Sequence, residues 1–137
     1  MKAQEVMRAK FSEQLIWQPS KMQITTPGEK FIQKLMHNIE EKMGDPDFDV
    51  TALVNEMGMS RTVLYKKVQA LTGFAVADLI KYLRLQKAAI LLQSSSFPVS
   101  EVAYLVGFND RKHFSREFRK QHGISPSAYQ QQPQTGG

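Results

Sequence analysis

The sequence repeats itself, and the repeat constrains the fold more than any other feature. Residues 54–79 (VNEMGMSRTVLYKKVQALTGFAVADL) align with residues 103–129 (AYLVGFNDRKHFSREFRKQHGISPSAY). Ser60, Leu64, Val68, Gly73 and Leu79 have partners 50 positions on, at Asp110, Phe114, Phe118, Gly123 and Tyr129. Val54 and Gly58 pair with Ala103 and Gly107 at a separation of 49. The one-residue slip falls in a turn, where a change of length is best tolerated. Such self-similarity marks one supersecondary unit used twice. In each copy a short helix ends at a glycine, a Ser or Asp side chain caps a second helix, and another glycine stops it. That order predicts a helix-turn-helix. Gly58 and Gly107 are the expected turn glycines, because glycine takes a positive φ at little cost. Val54 and Ala103 are slim enough for the second helix to pack closely. The apolar side of each second helix faces its own core, which leaves the other side free to enter a major groove.

The rest of the chain continues the helical pattern. Phe31, Ile32, Leu35, Met36 and Ile39 recur at helical spacing, and Gly44 and Pro46 end that helix. Asp49 caps a short helix with Leu53, Val54 and Met57, and Ser60 caps the next, through Leu71. A long helix over about residues 76–93 carries Leu79, Ile80, Leu83, Ala88, Leu91 and Leu92. Short helices over residues 99–106, after Asp110, and from Ser125-Pro126 complete the pattern. No alternating strand-like run of useful length interrupts it. The expected fold is all-α, about seven helices, with two tandem helix-turn-helix subdomains joined by a long linker helix. Residues 1–28, interrupted by Pro19, Pro27 and Gly28, read as a linker or tail from a larger protein. Residues 29–130 form the domain: 29–74 the first unit, 75–93 the linker helix, 94–130 the second unit. Residues 131–137 are a disordered tail.

Charge separates along the chain. Residues 1–60 hold 7 Lys+Arg and 9 Asp+Glu, net −2, whereas residues 61–137 hold 11 and 4, net +7. A cationic C-terminal half suits a polyanionic partner. The chain has no cysteine, hence no disulfide framework and no cysteine-based zinc site. His37, His113 and His122 are scattered, none at metal-ligand spacing from a carboxylate or another histidine, so neither metal nor cofactor is expected. No apolar run is long enough to span a membrane, and no membrane contact is expected of this domain. No nucleophile–base pair, phosphate-cradling glycine loop or paired acid stands out, so the domain does not read as an enzyme.

The second copy, residues 99–129 (VSEVAYLVGFNDRKHFSREFRKQHGISPSAY), resembles the signature stretch of the AraC/XylS family of bacterial transcription regulators. The run TGFAVADLIKYLRLQKAAILLQ resembles that family's linker helix. Residues 30–92 are also similar to the C-terminal output domains of hybrid two-component sensors, which would place a kinase elsewhere in a longer chain. The resemblance implies sequence-specific binding of double-stranded DNA as the output of a transcription regulator. A helical protein–protein adaptor that has lost DNA binding is the alternative. The resemblance further implies RNA polymerase as a partner, a monomeric isolated domain, a dimeric full-length protein, and work in the cytoplasm, with the whole protein possible to anchor in the inner membrane. Base contacts are expected from Arg61, Thr62, Tyr65 and Lys66 in the first unit and Arg111, Lys112, Ser115 and Arg116 in the second. Phosphate contacts are expected from Lys67, Lys81, Arg84, Arg119 and Lys120. Two departures matter. Ala75 stands where the family usually places Ser or Thr, which removes a helix cap. Lys66 stands where Arg is frequent, and a lysine is a point charge rather than a bidentate fork.

Overall fold

Thr26 acts as a helix cap, its hydroxyl accepting a hydrogen bond from the Glu29 amide at 3.1 Å. This is seen in a computed structural model that describes residues 26–133. Helix α1 (Pro27–Lys42) therefore starts earlier than the sequence reading placed it. Pro27 is no interruption: at the first helical position its missing N–H costs nothing. The remaining expectations for the N-terminal tail concern residues 1–25, outside the described residues.

Six further helices follow: α2 (Val50–Met57), α3 (Arg61–Thr72), α4 (Val76–Ser94), α5 (Val99–Leu105), α6 (Arg111–His122) and α7 (Pro126–Gln131). The described residues contain no strand, as the all-α reading expects. They fall into two units. One comprises residues 26–42 and 49–79, the other Met43–Phe48 and residues 80–133. The linker helix α4 thus begins in the first unit and continues in the second.

In the first unit α1 packs on α2 and α2 on α3. Leu35, Ile39, Leu53, Leu64, Val68 and Leu79 are fully buried, one apolar stripe from each helix. In the second unit α5 packs on α6 and α6 on α7. Its core gathers Leu85, Ala88 and Leu92 of α4, Val102 and Ala103 of α5, and Phe108, Phe114 and Phe118 around α6. Phe108 meets Phe114 edge-on and Phe114 meets Phe118 at a tilt, with centroids 5.3 and 5.7 Å apart. Such contacts exceed plain area burial by about 0.5–1.5 kcal/mol each.

The repeat is realised locally. Ser60 Oγ accepts from the Val63 amide at 3.2 Å and Asp110 Oδ1 from the Lys112 amide at 2.9 Å. Helices α3 and α6 are both 12 residues long, and Gly73 and Gly123 end them at φ 77° and 86°. The turn glycines Gly58 and Gly107 also have positive φ, 67° and 94°. They differ in surroundings. Space around Gly58 is open, whereas a Cβ on Gly107 would stand 2.3 Å from the Met43 carbonyl oxygen and 2.9 Å from Arg84 Nε.

Candidate nucleic-acid interface

Each second helix presents its polar side to solvent because its apolar residues fall on one stripe. On α3, burying Leu64 and Val68 leaves Arg61, Thr62, Tyr65, Lys66 and Lys67 exposed. Helix α3 carries three cations and no acid. Arg61 is held in place: Nη2 donates to Thr51 Oγ1 at 2.8 Å and Nη1 to the Tyr65 hydroxyl at 3.1 Å. Lys67 rests its ammonium over the Phe31 ring, 5.4 Å from the centroid.

On α6, burying Phe114 and Phe118 leaves Arg111, Lys112, Arg116, Arg119 and Lys120 exposed and Ser115 half-buried. Five cations face one acid, Glu117, which is itself buried. Its Oε1 lies 3.0 Å from Lys81 Nζ, and its Oε2 lies 3.3 Å from Lys120 Nζ and 3.6 Å from Arg116 Nε. The Lys81 hydrogen bond is the main cause that lowers the Glu117 pKa to about 2; burial opposes it and Lys120 reinforces it.

Two grooves occupy equivalent places in the repeat. One, of about 480 Å³, is lined by Tyr65, Lys66, Gln69, Ala70 and Ala75 together with Val76 and Ala77. The other, of about 500 Å³, is lined by Ser115, Arg116, Arg119, Lys120 and Ser125. The first five residues of the one are the five of the other, 50 positions earlier. Every second helix is therefore flanked by a groove along its outer face, apolar in the first unit and cationic in the second.

Arg84 is employed differently from the sequence expectation. Its Nε donates to the Met43 carbonyl at 3.0 Å, and its Nη2 donates to the carbonyls of Asp45 at 3.0 Å and Phe48 at 3.2 Å. Three of its five donors thus hold the Met43–Phe48 segment in the second unit. Burial lowers its pKa, with Asp45 opposing. Arg84 is a structural tie and leaves the phosphate set. Lys81 keeps two donors beyond the one on Glu117. Among the described residues no group of three or more metal-ligating side chains exists. His37 pairs with Glu41 at 3.3 Å, and His113 meets the Phe108 ring at 5.5 Å. His122 Nε2 lies 3.2 Å from the Leu85 carbonyl and its ring 4.3 Å from that of Phe118; burial lowers its pKa.

Sequence reasoning missed Thr51, Glu117 as a buried anion, and the Met43–Phe48 segment. The Glu117 signal was present: it lies three residues after Phe114 and one before Phe118, on the inward stripe.

Comparison with known proteins gives one answer. Residues 53–132 match the model of a helix-turn-helix domain family. The chain is 37% identical over 124 residues to histidine kinase P4 of Formosa agariphila, covering 90% of this chain and 9% of that protein. It is 30% identical over 102 residues to the HTH-type transcriptional regulator MtrA of Neisseria gonorrhoeae, covering 73% of this chain and 34% of that protein. It therefore spans only a minor part of either relative. Among solved structures it is similar to the DNA-binding domain of the global transcriptional factor AdpA in complex with a target DNA, at TM-score 0.66 and 30% identity over 77% of this chain and 91% of that one. The C-terminal domain of the two-component response regulator YesN from Fusobacterium nucleatum matches at TM-score 0.66 and 28% identity, covering 71% and 94%. An AraC-type regulator from Chromobacterium violaceum, 23% identical, shares the fold at TM-score 0.73, covering 80% and 96%. With two capped helix-turn-helix units in tandem and these relatives, the chain belongs to the AraC-type helix-turn-helix family of transcription-regulator DNA-binding domains.

Proposed function

We propose that this chain binds double-stranded DNA sequence-specifically, as the output domain of a transcription regulator in a two-component signalling protein. The observation that carries this is the pair of exposed, cation-rich recognition helices: α3 with no acid, and α6 with its single acid withdrawn from the surface. Residues Arg61, Thr62, Tyr65 and Lys66, with Arg111, Lys112, Ser115 and Arg116, supply base contacts. Lys67, Lys81, Arg119 and Lys120 supply phosphate contacts, which position a protein without reading sequence. The domain works as a monomer, and the longer protein raises affinity by bringing two copies to neighbouring sites.

Selection from random duplexes, followed by titration at several salt concentrations, tests this reading. A preferred site should emerge, and its affinity should fall steeply as salt rises. A flat profile with no salt-dependent duplex binding would leave the helical adaptor standing. Mass in solution tests the assembly, and a stable dimer of this chain alone refutes the monomer.

A further inference from the structure

We propose that Glu117 is a positioning residue that fixes Arg116 for base recognition, a role that rests on reading α6 as the DNA-facing helix. A carboxylate among DNA-facing cations is at first sight unfavourable. It repels phosphate, and its burial removes water from a charge. Its geometry gives it a use. The Glu117 side chain is 10% exposed, while those of Arg116 and Lys120 are 65% and 69% exposed. Lys81, from α4, anchors Oε1 at 3.0 Å. That leaves Oε2 to face the two α6 cations.

Arg116 approaches Glu117 through Nε, as an ion pair at 3.6 Å that is longer than a hydrogen bond. Both terminal nitrogens of the guanidinium are then without a protein partner among the described residues. Those two nitrogens form the end of the fork that can address guanine O6 and N7 together. Adjacent residues on a helix do not normally face each other. To come within 3.6 Å of Glu117, Arg116 takes one arrangement out of the many open to a long side chain. Ordering the side chain before DNA arrives removes part of the cost of binding.

The repeat supplies a contrast. The residue equivalent to Glu117 in the first unit is Lys67, and the equivalent of Arg116 is Lys66. At these two positions the first unit has neither the fork nor the carboxylate that would hold it. The two appear together, in the second unit only.

Glu117→Gln tests the role. Glutamine keeps the shape and can still accept from Lys81, but it loses the charge that attracts Arg116 and Lys120. The preference at the base pair read by Arg116 should fall about fivefold or more. Binding to random duplex should instead tighten. With Lys120 freed from the competing carboxylate and its phosphate contact strengthened, the salt slope should steepen, by at most about 0.9. Loss of packing alone would weaken both kinds of binding together, and that result overturns the proposal. Arg116→Ala should erase the same preference, and adding Glu117→Gln to it should change the preference no further. If Arg116→Ala leaves the profile intact, the reading of α6 as the base reader fails and the proposal with it. If Arg116→Ala erases a preference that Glu117→Gln leaves intact, Glu117 alone loses its role. A measurement on the unaltered chain covers the case in which the variant fails to fold. By nitrogen-15 relaxation, the Arg116 Nε–H should be more ordered than those of Arg111 and Arg119; equal order overturns the proposal.

Discussion

Replacing each turn glycine by alanine separates two demands that look identical in the sequence. Gly58 and Gly107 occupy equivalent turns and both have positive φ. At Gly58 nothing lies within 4 Å of an added Cβ, so Gly58→Ala meets only the backbone cost of an L-residue in that region. That cost is about 1–2 kcal/mol. At Gly107 the same methyl stands 2.3 Å from the Met43 carbonyl oxygen and 2.9 Å from Arg84 Nε, so the Met43–Phe48 segment must move. The movement takes the Met43 carbonyl away from Arg84 Nε, now at 3.0 Å. A hydrogen bond to a charged group is worth about 1.5–3 kcal/mol. Gly107→Ala should therefore cost about 2.5–5 kcal/mol, the sum of the backbone and hydrogen-bond contributions. Urea denaturation of both variants measures the difference, and amide hydrogen exchange should place the Gly107→Ala loss in residues 80–133. Equal losses for the two variants would refute the reasoning, because the close approach to Met43 and Arg84 at Gly107 has no counterpart at Gly58.

Three further outcomes follow from the same geometry. Arg84→Ala should destabilise the second unit by about 2–4 kcal/mol, since three backbone carbonyls lose a charged donor; thermal or urea unfolding reads this, and a loss within 0.5 kcal/mol would return Arg84 to the surface. Burial lowers the His122 pKa, so the folded state disfavours its protonated form. Its stabilising share should be full above the unfolded value of about 6.5 and be lost as pH falls towards the lower folded value; a His122→Gln variant should flatten this part of a stability–pH profile, and an unchanged profile would show that the titration lies elsewhere. Ser60→Ala and Asp110→Ala should each cost about 1 kcal/mol through the lost cap while leaving the order of preferred DNA sites unchanged, as urea melts and repeated site selection would check.

What was legible in the sequence is what local chemistry encodes. Caps at Asp49, Ser60, Asp110 and Ser125, the turn glycines and the 3.6-residue apolar stripes each act within a few residues, so all seven described helices were readable. The exposed cations of α3 and α6 followed from those stripes. Less legible was anything that depends on distant partners. Arg84 reads as one more basic residue of a helix, because the carbonyls it binds lie 36–41 residues earlier. The Met43–Phe48 loop reads as a connection between α1 and α2, yet it belongs with the second unit. Glu117 sat on the inward stripe, but a charged residue there suggests a solvated face unless its cationic partners are seen. Lys81 is 36 residues away.

The two units share a backbone plan but differ in where each holds an arginine. In the first, Arg61 begins α3 and is fixed by Thr51 and Tyr65. In the second, Arg111 begins α6 at the equivalent position, and Arg116, the sixth residue, lies 3.6 Å from Glu117. Five residues of helix span about 7.5 Å, more than two base-pair steps of ~3.4 Å. With DNA as partner, two matched helices thus carry their ordered guanidinium groups to different depths of the site each one reads. The surrounding grooves differ in the same direction: Gln69 and Ala70 stand where the second unit has Arg119 and Lys120. A phosphate beside α6 meets charge where one beside α3 meets an amide and a methyl. The repeat therefore does not carry over into the DNA. On the proposed contacts, the two halves of the bound site should need different bases and contribute unequal shares of the salt-dependent affinity. A symmetric duplex built from two copies of the α6 half-site should then bind less tightly than the selected site, because α3 meets bases suited to a fork that it lacks at that position. Competition between the two duplexes at one salt concentration measures this, and equal binding would mean that the difference between the two helices is not read.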